Sequence, residues 1–89
     1  MVRNWMRGEN YYSKNNANAF SCVSMVHESK NQAVVIEKHE EKYVIFVTEK
    51  LNPYQVIDEI ERGYEDLDSA AEEADTWMKH HPDGLRGYP

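Results

Sequence analysis

AVVIEKHEEKYVIFVT, residues 33–48, decides how the rest of the chain is read. Its two halves, Ala33 to His39 and Lys42 to Thr48, are dense in β-branched and aromatic side chains, which pack well on a pleated surface. Only Glu40 and Glu41 separate them, so the stretch predicts two antiparallel strands joined by a two-residue hairpin. The loop lacks the Asn-Gly or Asp-Gly pair that marks the favoured primed turns, which leaves its turn type open. In the second strand Tyr43, Ile45 and Val47 share one face, and Val44 and Phe46 share the other. Both faces are apolar, so each needs cover from elsewhere in the chain.

Upstream, residues 19–27 (AFSCVSMVH) alternate well enough for a further strand, with ESKNQ at 28–32 as the turn into the hairpin. Phe20, Cys22, Ser24 and Val26 would line one face of it. The polar run SKNNAN at 13–18 reads as a loop. Residues 1–18 are an N-terminal arm, or a first strand and loop. Downstream, residues 51–63 fit two readings. Asn52 before Pro53 resembles a helix start, Gly63 a helix stop, and Val56, Ile57 and Ile60 a helical stripe; the rival is an edge strand from 55 to 62.

Residues 67–81 form the clearest helix. Ser69 and Glu72 match the S-x-x-E capping box. Ala70, Ala71, Ala74, Trp77, Met78 and His81 fall on one face. Acids gather at its start and Lys79, His80 and His81 at its end, as the helix dipole favours. Pro82 and Gly84 stop it, and 85–89 is expected to fray. The sum is a single α+β domain over residues 1–89, a three- or four-stranded antiparallel sheet with one C-terminal helix packed on one face. The order of strands and the pattern Ala70-x3-Ala74-x2-Trp77-Met78-x2-His81-Pro82-x-Gly84 resemble small proteins of halophilic archaea and their viruses. Over about half of the chain, that resemblance implies a β-β-β-α fold and points to no known activity.

With 89 residues the chain makes one domain with a thin stability margin, which dimerisation would widen. Cys22 is the only cysteine, so no internal disulfide forms, in keeping with a cytoplasmic location. The absence of a long apolar run predicts no membrane span, and the first residues lack a signal-peptide core. The net charge of −6 is uneven: residues 1–50 carry seven basic against six acidic side chains, residues 51–89 three against ten. The acidic half repels phosphate backbones and anionic lipid.

The residues that bear chemistry point to no cofactor and no metal. His80 and His81 diverge by about 100° on a helix. Cys22 and His27 fall on opposite faces of a strand. One cysteine cannot supply the paired ligands of structural zinc. Cys22 reads as a buried small hydrophobe, His81 as a helix-end residue, and the other histidines as surface residues. The acidic run from Asp58 to Asp68 reads as a solvated face. No nucleotide-binding or hydrolase motif occurs, which argues against an enzyme and leaves catalytic residues unassigned. The leading expectation is a non-enzymatic protein-interaction module, homo-oligomeric, using an exposed second sheet face that includes Val34, Ile36, Val44 and Phe46. The alternative is a nucleic-acid-linked protein. In one form Trp5, Tyr11 and Tyr12 stack on bases while Arg3 and Arg7 meet phosphates; in the other the acidic half mimics a nucleic acid. Packing of Trp5 and Tyr11 into the core competes with the stacking role. A small enzyme is the third reading.

Overall fold

The computed structural model of the chain describes residues 2–8, 20–52 and 55–88. Among these residues five strands and one helix follow in order: β1 (Trp5–Arg7), β2 (Phe20–His27), β3 (Ala33–His39), β4 (Lys42–Thr48), β5 (Val56–Tyr64) and α1 (Leu67–His80). The strands form one antiparallel meander in which spatial order equals chain order. The fold is α+β, as expected, and its sheet is larger than the three or four strands anticipated. Among the described residues no helix is long and apolar enough to cross a membrane.

The central hairpin forms as its composition requires, with His39 opposite Lys42 and Ala33 opposite Thr48. Glu40 takes φ +58°, so the turn reaches a primed geometry without glycine. Residues 51–63 resolve to a strand. β5 pairs with β4, but its register slips three times in nine residues, leaving Ile57, Ile60 and Gly63 as the extra residues of successive bulges. Each bulge bends and twists the strand. Ile57 and Ile60 pack on the core cluster, while Asp58, Glu59 and Glu61 are exposed along the sheet edge. A bulged, charged edge is a poor template for another strand. A further bulge in β2 leaves Cys22 as its extra residue, so the unbroken alternation expected for that strand does not hold. The Cys22 side chain, expected to be buried, lies outside the described residues.

α1 starts three residues earlier than the capping box implies. Asp66 is the N-cap and its carboxylate accepts the Ser69 N–H at 2.8 Å, so Ser69 is the third helical residue and not the cap. A carboxylate at this position also meets the positive end of the helix dipole. Ala70, Ala74 and Met78 are buried on the sheet with Val34, Ile36, Ile45 and Val47. The alanines let the helix axis approach closely, and Trp77 and Met78 fill the wider end. Beyond the helix, residues 86–88 are exposed, while Leu85 turns back onto the sheet. Leu85 packs on the core, and its N–H and C=O both bond to the side chain of Gln32. Pro89 lies outside the described residues.

Tyr64, at the end of β5 beside the helix start, has its phenol pushed above the ordinary tyrosine range by burial, with Glu73 and Glu61 adding to the shift. Raised in the folded state, this group contributes stability that is full below the unfolded tyrosine pKa, about 10, and is lost as pH rises beyond it. Tyr64→Phe should therefore lose less stability than the parent chain between about pH 9 and 11. Urea midpoints across that range that fall in parallel would refute the assignment.

Candidate functional site

The sheet has two faces, and the helix covers only part of one. Cross-strand register places Val34, Ile36, Ile45 and Val47 on the helix side, and Val35, Val44 and Phe46 on the reverse. The four residues expected to form one exposed surface therefore divide between the faces. Val34 and Ile36 are buried under α1, Val44 is buried on the reverse face, and Phe46 there is half-buried against the His39 ring. Val34 and Ile36 are two residues apart, as are Val44 and Phe46, but the hairpin aligns Val34 with Val47, not with Val44 or Phe46. The reverse face is not open either: Ala33, Val35, Glu37 and Thr48 on it are buried. Glu37 and His39, two apart and so on the same side of β3, pair there at 2.8 Å. The E-K-H spacing in β3 is the sequence signal for that pair.

The apolar surface left incompletely covered lies elsewhere, between α1 and β2. Val23 and Met25 are half-buried on the helix side of β2, aligned with Ile36 and Val34. With Ala71, Ala74 and Met78 they line an apolar crevice of about 130 Å³, with Asp75 at its rim. It exists because α1 lies over β3, β4 and β5 and presents alanine toward β2, where a larger side chain would close the gap. The alanine stripe was legible in the sequence. The gap beside it was not, since it depends on where the helix axis lies.

The aromatic and polar residues at the other end of α1 form a closed structural knot. Trp5 is 2 % exposed and packs edge-on against His27 and Trp77, with ring centroids at 4.9 and 6.0 Å. Its Nε1–H donates to the His81 carbonyl at 2.9 Å. Burial removes Trp5 from the nucleic-acid contacts considered above, because a ring inside the core cannot stack on a base. Arg3 and Arg7 are exposed; Tyr11 and Tyr12 lie outside the described residues. His27 also departs from expectation, being 1 % exposed rather than a surface residue. Its Nδ1 accepts the N–H groups of Ser29 and Lys30, which places the ring proton on Nε2, and Nε2–H donates to the Pro82 carbonyl at 2.7 Å. Asn4 donates to the same carbonyl at 2.9 Å. Both nitrogens of His27 are thus committed to main chain and hold no lone pair for a metal or a substrate.

A polar hollow of about 390 Å³ lies beyond this knot, lined by residues 80–86. The His81 ring stacks on Trp77 at 4.0 Å and bonds through Nδ1 to the Trp77 carbonyl, so it serves as the helix-end residue expected. Among the described residues no group of three or more His, Cys, Asp or Glu side chains is placed to hold a metal. The acids of β5 and the first half of α1 are exposed, and Glu61 and Glu73 come close enough to act together on Tyr64. Compared with protein-family models, with curated proteins and with solved structures, the chain has no match.

Proposed function

We propose that the chain is a non-enzymatic protein-interaction module that docks a partner through the crevice between α1 and β2. One observation carries this reading: a cluster of half-buried apolar side chains, Val23, Met25 and Ala71, borders a cavity beside α1, with one carboxylate on its rim. An apolar hollow with a polar rim is what partner side chains fill when a segment lies along a groove. The reverse sheet face offers little open apolar surface for self-association, since Ala33, Val35, Val44 and Thr48 on it are buried and Phe46 is half-buried. A photo-crosslinking residue at position 25, introduced into the chain in cells that make it, should give a discrete heavier adduct that disappears when Ala71→Leu fills the crevice. Crosslinking no stronger than from exposed position 76 would refute the reading.

Nucleic-acid mimicry is the second reading, favoured by the convergence of strand and helix carboxylates around Tyr64. It predicts that the chain displaces DNA from a basic peptide at low salt, where charge contacts are strongest. Failure to displace it there would end this reading.

A further inference from the structure

We infer that the occupant of the α1–β2 crevice is a cationic amphipathic segment of a partner protein, apolar on the face that enters and rich in lysine or arginine along its flank. This inference rests on the docking role proposed above and adds the partner's chemistry. The helix wall of the crevice is built from Ala71, Ala74, Asp75 and Met78. One turn out along the same wall, Asp68 and Glu72 are exposed and fall at helical spacing with Asp75, so three carboxylates run parallel to the apolar lining. Two cations stand nearby. Lys79 is already paired with Asp75 at 3.0 Å, and Arg7, opposite Met25 on β1, is exposed on the far wall. The helix wall keeps an acidic balance, and the whole chain carries −6.

Charge also argues against a second copy as occupant. Two such chains would bring net −6 against net −6, and a net charge that far from zero works against self-association. A cationic segment is instead steered toward the acidic half and then held by apolar burial, which divides the work between association rate and residence time.

The probe is a synthetic amphipathic peptide of leucine and lysine, with the leucine–glutamate peptide of identical pattern as control, titrated into the full chain. Methyl resonances of Val23, Met25, Ala71, Ala74 and Met78 report occupancy. The leucine–lysine peptide should shift this set, with affinity at least roughly tenfold above the control and falling with salt. Ala71→Leu, which fills the crevice, should abolish those shifts; should that variant fail to fold, Met25→Gln tests the same contact. Reversing Glu72, which is exposed, and Asp75, at the crevice rim, to lysine should invert the preference between the two peptides. Equal binding of both peptides at the crevice would overturn the cationic partner while leaving the docking role standing. Shifts of the same methyls on raising chain concentration without peptide would overturn it in favour of a second copy. If neither peptide moves these methyls, the docking role and the partner fall together.

Discussion

Replacing Trp5 by alanine should remove about 3–5 kcal/mol of stability, the usual loss for a large buried aromatic. For a chain of 89 residues the total is roughly 5–13 kcal/mol at the common per-residue value, so this variant should sit at the edge of folding. Three losses combine. The ring leaves a cavity between His27 and Trp77, the edge-on contacts at 4.9 and 6.0 Å vanish, and the His81 carbonyl loses the indole N–H. Trp5→Phe separates these effects, since it keeps much of the ring and deletes the donor; it should cost about 1–3 kcal/mol. Urea unfolding followed by circular dichroism measures both. A loss under about 1 kcal/mol for the alanine variant would mean that β1 is not part of the cooperative core.

The second large effect is expected at Gly84. Its φ of +73° lies in the region where a side chain costs about 1–2 kcal/mol, and a Cβ there would run into Oε1 of Gln32. Gln32 cannot move aside without loss. It is 0 % exposed, its Oε1 accepts the Leu85 N–H at 2.7 Å, and its Nε2 donates to the Leu85 carbonyl at 3.2 Å. Gly84→Ala should therefore cost about 3 kcal/mol or more, strain and broken bonds together. Gly87 is the internal control: its φ is +85° and nothing lies within contact range of an added Cβ, so Gly87→Ala should show the strain alone. Gln32→Ala combined with Gly84→Ala should be clearly less damaging than the two single losses added, because the alanine at 84 then has room. Additive losses in that cycle would remove the clash from the account.

What could be read from the chain follows from how local each signal is. The β3–β4 hairpin was legible because both strands carry their own β-forming composition and the loop fixes their register. The α1 face was legible because Ala70, Ala74 and Met78 repeat at helical spacing within a single element. β5 was not. Its bulges insert an extra residue at 57, 60 and 63, which changes the apolar period from two toward three and imitates a helix. Gln32 and His27 escaped for a different reason. Their partners, Leu85 and Pro82, lie more than fifty residues away, and no periodicity records a hydrogen bond of that span. The crevice is a matter of helix placement, which the alanine stripe permits without specifying.

Synthesis on the ribosome meets this fold in an awkward order. Spatial neighbours in the sheet are neighbours along the chain, so β2 to β4 can zip together while the remainder is still being made. Trp5 and Asn4 reach their acceptors, the carbonyls of residues 81 and 82, only after those residues clear the exit tunnel. Until then the β1 indole stays wet beside a half-built core, and the docking of β1 waits for the end of α1 to emerge.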